Sequence, residues 1–161
     1  MTTVETSFEK VRRKLVAARI EFMGQLAKFS KEELTQTLTE NSWSPLQLAY
    51  HLYIADGLAL EQMRRVQNED APLLDDLAEV VPRLTNSAEP PASLDAVLAG
   101  LAARREELFE YLSSLPDDAW LRPFRHPTLG ERKFYQLVNT LPHHDQEHAR
   151  QLSSIKAQKE A

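Results

Sequence analysis

The sequence predicts an all-α protein, a bundle of four long helices. Two observations carry that prediction. Strong helix formers dominate, while only 4 Gly occur among 161 residues, so turns of the β kind are poorly supplied. Four long segments repeat their apolar residues at steps of three and four, the spacing of one buried helix face. The length fits one domain, residues 1–161, large enough for a sizeable core.

The first helix is expected from about Val4 to about Lys28, with Phe8, Val11, Leu15, Ala18, Phe22 and Leu26 on one face and Lys10, Arg13, Lys14 and Glu21 opposite. At ~1.5 Å per residue it is about 37 Å long, which suits a bundle. Ser30-Lys31-Glu32-Glu33 then has the form of a capping box and predicts a short helical turn.

The second helix has the clearest start. Ser44 suits the N-cap, Pro45 the first helical position and Gln47 the third, while Trp43 and Leu48 occupy the places of a hydrophobic staple. It continues to about Gln67 along Leu48, His51, Leu52, Ala55, Leu58, Ala59, Met63 and Val66. The stretch from Asp70 to Ala92 is broken by Pro72, Pro82, Pro90 and Pro91, and only Leu73 to Val81 suggests a helical turn. A connection this long suits a crossover or the covering of a site.

The third helix opens at Ser93 and runs to about Leu115, along Leu94, Val97, Leu98, Leu101, Leu108, Leu112 and Leu115. A second irregular stretch, Asp117 to Arg132, holds Trp120, Pro123, His126, Pro127 and Gly130. The fourth helix runs from about Lys133 to Lys156 with Pro142 inside it. That proline cannot donate to the carbonyl of Val138, which predicts a kink or, alternatively, a break near Asn139 or Thr140.

Composition narrows the function. With 19 basic and 24 acidic residues the net charge is −5, and no basic stripe marks a nucleic-acid surface. No apolar run approaches the ~20 residues of a membrane span. The first residues lack the pattern of a signal peptide, so the cytoplasm is the default location. With 0 Cys there is no disulfide, thiolate ligand or cysteine nucleophile.

Chemistry concentrates in Leu141-Pro142-His143-His144-Asp145-Gln146-Glu147-His148-Ala149-Arg150-Gln151-Leu152. On the fourth helix the inward stripe reads Phe134, Leu137, Val138, Leu141, His144, Asp145, His148, Leu152, Ile155. His144 and His148 therefore stand where apolar residues belong, as His51 does on the second helix; His143 is turned about 100° toward solvent. Neighbours at i and i+4 can share one metal ion at about 2.0–2.1 Å from each nitrogen. Three neutral imidazoles leave a coordination position open, as catalytic sites do, whereas three unpaired core histidines would be costly. The competing reading is three hydrogen-bonded core histidines.

Other site types fit less well. A zincin needs Glu directly after the first histidine, where this chain has Asp145, and only 13 residues, none of them His, follow His148. A di-iron bundle needs two Glu-x-x-His motifs, which are absent. Asp145 faces inward and is a candidate to orient a ligand's second nitrogen or to act as a base. Glu147, Arg150 and His126 read as surface residues.

Trp43-Ser44-Pro45 followed by Ala49-Tyr50-His51-Leu52, and then His144-Asp145-x-x-His148-x-x-Gln151-Leu152, resemble the two signature regions of the DinB/YfiT-like superfamily. The similarity extends over essentially the whole chain. It implies an up-down-down-up four-helix bundle with a long crossover, often a homodimer. It also implies a divalent metal on three histidines, which map here to His51, His144 and His148. Zinc and nickel are the common ions, with iron and manganese also in the family's range. Characterised relatives are thiol-dependent S-transferases using bacillithiol, mycothiol or glutathione, and a maleylpyruvate isomerase; others are described as metal-dependent hydrolases. Pro142 and His143 have no place in that pattern. The resemblance thus implies a metal-dependent enzyme acting on a small molecule, by thiol transfer or by hydrolysis. The alternative is a non-catalytic, metal-binding or stress-related dimeric bundle.

Overall fold

The computed structural model describes residues 6–87 and 93–160. Helix α1 spans Ser7–Leu26, α2 Pro45–Asn68, α3 Leu77–Ser87, α4 Leu94–Ser113 and α5 Phe134–Glu160, with a two-stranded hairpin of β1, Pro123–His126, and β2, Gly130–Lys133. The four long helices are those expected. The expected start at Val4 and the prolines at 90 and 91 lie outside the described residues.

Capping follows the sequence closely. Thr6 Oγ1 accepts from the Glu9 N–H and closes the start of α1. Ser44 and Gln47 form the full reciprocal box, at 3.1 Å and 2.9 Å, and Pro45 opens α2. Ser30 and Glu33 repeat it ahead of a 3₁₀ turn, Glu33–Thr35. Ser93 Oγ accepts from Ala96 to start α4.

Two expectations change. The helix between α2 and α4 is Leu77–Ser87, rather than a turn over Leu73 to Val81. Leu73 is extended and bridges Arg125, and Asp76 caps the helix start through the Ala78 N–H. Pro82 removes only one intrahelical donor, and burial of Val81 and Thr85 carries the helix past it. The second change is the hairpin, in a stretch read as irregular. His126 Nδ1 accepts from the N–H groups of Thr128 and Leu129, and Gly130 takes the left-handed conformation at φ 77°. A three-residue loop closed by such a glycine is a standard hairpin device. At Pro142 the last helix does not break: α5 runs through it to Glu160.

Around the bundle, α1 packs mainly on α5, α5 on α2, and α2 on α4, with α1 and α4 closing the ring. Helices consecutive in the chain, α1 with α2 and α4 with α5, are thus not principal neighbours, and the connections between them have to cross the bundle. Leu15, Met63, Leu108 and Phe134 fill one apolar cluster, and Phe22, Leu48, Leu52 and Leu152 fill a second. No helix of the described residues is long and apolar enough to cross a membrane.

Candidate metal centre

His51 is carried by α2, and His144 and His148 by α5, one turn apart. The structure brings all three together. His51 and His148 are buried, His144 is partly buried and His143 is exposed, as the helical rotation required. His144 Nε2 lies 3.0 Å from His51 Nε2 and 2.9 Å from His148 Nε2.

The other nitrogen of two rings fixes its tautomer. His51 Nδ1 lies 3.2 Å from Thr85 Oγ1, and that hydroxyl already donates its only proton to the Val81 carbonyl at 2.8 Å. Neutral His51 must therefore donate from Nδ1, which leaves a lone pair on Nε2. His148 Nδ1 lies 2.8 Å from Gln151 Oε1, an acceptor, so its Nε2 is bare as well. His144 Nε2 sits between two lone pairs and carries at most one proton. That one proton cannot serve both acceptors, and without it both contacts set lone pair against lone pair. A single cation satisfies all three nitrogens, and the donor set suits a divalent ion. Tetrahedral ligation at about 2.0–2.1 Å separates donor atoms by roughly 3.3 Å, a few tenths more than seen here. The residues fit the group the resemblance implies.

The electrostatics work against a proton on His51 or His144 near neutral pH. Burial pushes the His51 imidazole from 6.5 down to about 3, with His144 and His148 adding to the effect. Burial takes His144 from 6.5 down to about 4, helped by His148 and opposed by Asp145, Asp56 and Glu147. In the unfolded chain both rings protonate near 6.5; in the folded chain they do so only near 3 to 4. Within that window the unfolded state binds more protons. The metal-free protein is therefore expected to lose stability as pH falls from about 6.5 toward about 4, with no contribution above. Thermal melts across that range check this, and His51→Leu should flatten the slope.

Thr85 and Gln151 were not singled out from the sequence as supports of the site, although the i, i+3 step from His148 to Gln151 was there to be read. Removing such a support typically costs about 10–100-fold in metal affinity. Thr85→Val is expected to lower zinc affinity by that order, measured by competition with a chelating dye, and an unchanged affinity would show that His51 needs no tautomer lock.

Asp145 is inward, as expected, and only 1% exposed. Its hydrogen bonds, however, go to two guanidinium groups. Arg19 Nε and Nη2 reach its carboxylate at 3.1 and 3.2 Å, and Arg105 Nη2 at 3.2 Å. The same two arginines hold Asp56. One residue from each long helix thus builds a buried quartet beside the histidines. Burial works against the Arg19 charge, but Asp56 and Asp145 outweigh it and hold its pKa above the usual guanidinium value. Arg105 Nε and Nη1 are buried without a hydrogen-bond partner. Among the described residues no carboxylate hydrogen-bonds to the three rings.

The imidazoles open onto a cleft of about 630 Å³ between α2, α3, the hairpin and α5, in the size range of small-molecule sites. Leu74, Val81, Phe124, Leu137 and Leu141 give it apolar walls. The Trp43 ring lies 4.7 Å from His51, and its indole N–H donates to Asn86 Oδ1 of α3 at 2.7 Å. His126 lies on the cleft wall with its Nδ1 spent on the hairpin loop and its Nε2 3.5 Å from Asp76.

Residues 14–152 match the family model of the DinB superfamily. The uncharacterized protein YuaE of Bacillus subtilis (strain 168) is 27% identical over 151 residues, which cover 86% of this chain and 93% of YuaE. YfiT from Bacillus subtilis, described as a probable metal-dependent hydrolase with an unusual four-helix bundle topology, aligns at a TM-score of 0.74 and 16% identity, over 98% of this chain and 92% of its own. The colibactin self-resistance protein ClbS, solved in complex with double-stranded DNA, aligns at 0.75 and 12% identity, over 96% of this chain and 98% of its own. At these identities the two structures establish a shared fold.

Proposed function

This chain belongs to the DinB superfamily, and we propose that it is a metal-dependent enzyme acting on a small organic molecule in the cleft. The observation that carries the reading is the pair of tautomer-locked imidazoles, His51 and His148, aimed with His144 at one point on the cleft floor. His51, His144 and His148 would hold the ion, zinc or nickel before iron or manganese. When bound, such an ion supplies Lewis acidity that favours the deprotonated form of a water or thiol nucleophile at neutral pH.

The chain's own residues do the rest. Thr85 and Gln151 orient two of the ligands, the apolar walls exclude water from the reacting groups, and Trp43 packs against His51. Asp145 and its partners keep α5 seated so that both of its histidines face inward. We read residues 1–161 as one domain, and the protein as a homodimer, the state that the family resemblance implies.

Within this class we put transfer to a low-molecular-weight thiol first. A coordinated thiol is deprotonated outright and needs no protein base, and no carboxylate of the described residues hydrogen-bonds to the rings. With 0 Cys in the chain, the thiol would come from a small molecule. Hydrolysis is the second reading. It is supported by the Glu147 carboxylate on the cleft wall and by the description of YfiT as a probable metal-dependent hydrolase. The test is a zinc- or nickel-loaded sample assayed against electrophiles with small thiols and, separately, against esters and amides. Thiol-dependent turnover that vanishes in His51→Ala supports the first reading; turnover of esters or amides alone supports the second. Metal loss in His51→Ala with activity unchanged would leave a non-catalytic metal-binding bundle. Nucleic acid is not the expected partner, given a net charge of −5. Strong salt-dependent retention on DNA would contradict that and align this chain with ClbS instead.

A further inference from the structure

The cleft wall carries a positive charge that no described residue answers. Arg132, on β2, is partly buried and lines the cleft, yet its guanidinium makes no hydrogen bond or ion pair among the described residues. Arg83 and Arg150 also lack partners among the described residues, but both are exposed. Beside Arg132, Gln136 spends its Oε1 on the Lys133 N–H at 2.9 Å, which leaves its amide nitrogen as a donor. The carboxylates on the same wall do not cancel this charge. Asp75 and Glu147 are exposed, and Asp76 is taken by His126 and by the start of α3. A partly desolvated guanidinium without a counter-ion gains most from an incoming anion. One guanidinium and one amide match a single carboxylate, planar and singly charged.

We propose that Arg132 is the recognition residue of the cleft and selects small carboxylates with an apolar body. The carboxylate sits on Arg132 and Gln136, the body lies along the apolar walls, and the far end points toward the three imidazoles. From Phe134, beside Arg132, to His144 the helix rises about 15 Å, so the two ends of the cleft are separate places. The orientation toward the imidazoles rests on the metal reading above; the anion site itself does not.

The test is calorimetric titration with 4-phenylbutyrate, its neutral amide and 4-phenylbutylamine. It is run on the zinc-loaded protein and on the metal-free His148→Ala variant, each with native Arg132, Arg132→Gln and Arg132→Lys. The carboxylate is expected to bind about tenfold or more tightly than the amide, as for a charge-assisted hydrogen bond. Arg132→Gln should erase that gap and Arg132→Lys keep part of it, with zinc or without. A gap that survives Arg132→Gln and needs zinc would overturn the assignment and leave the metal site standing. A gap that needs Arg132 in a protein that takes up no zinc would keep the anion site and remove the metal reading. Tighter binding of the amine, or no saturable binding of the carboxylate, would also overturn it.

Discussion

Replacing His148 by Ala is expected to yield a protein that purifies without a metal ion, where the native chain is expected to carry about one divalent ion. Structural zinc sites bind with about 10–16 kcal/mol over four ligands, so one imidazole is worth roughly 3 kcal/mol, about two orders of magnitude in affinity. Loss on that scale empties the site under ordinary purification. The same substitution is not expected to weaken the metal-free fold, because it removes one of the two acceptor nitrogens that crowd His144 Nε2 at 2.9 and 3.0 Å. Elemental analysis and thermal melts of the metal-free pair give both answers. An unchanged ion content would end the three-histidine assignment. A large drop in melting temperature without metal would mean that these rings are ordinary core hydrogen-bonding residues.

The second large effect belongs to the buried quartet. Asp145→Ala leaves Arg105 and Arg19 facing one carboxylate in place of two, and breaking a buried ion pair in this way costs about 3–5 kcal/mol. For a chain of this length that lowers the melting temperature by about 10 °C. Replacing all four residues together, by Leu at positions 19, 56 and 145 and Met at 105, is expected to be neutral or stabilising by about 1–4 kcal/mol. The two unpartnered nitrogens of Arg105 already count against the ionic arrangement. A neutral Asp145→Ala that instead abolished turnover would return Asp145 to the role of a base or ligand-orienting residue.

That reassignment shows where sequence reasoning stops. The caps of α2 and α4 were legible because the interacting groups lie three residues apart. The inward turn of His51, His144, Asp145 and His148 was legible because a helix repeats every 3.6 residues. Arg19, Asp56 and Arg105 were not singled out, although the same rule applies to them: each falls three or four residues from buried apolar neighbours, as Arg105 does between Leu101 and Leu108. What periodicity cannot give is partner choice across 126 residues, as between Arg19 and Asp145. Asp145 was therefore matched to the nearest histidines in place of two arginines on other helices. The hairpin was missed for a different reason. Its apolar content is low, and its signal lies in Gly130 and in a histidine that accepts from the loop behind it.

Helix α3 flanks the three imidazoles and forms one wall of the cleft. Its adjacent residues Thr85 and Asn86 accept from His51 and Trp43. A guest too bulky for the chamber would displace that wall and, in the same movement, take away the acceptor that keeps His51 in its binding tautomer. By reciprocity, a firmly bound ion would stiffen the wall against oversized guests. Admission by size and retention of the ion are then one equilibrium.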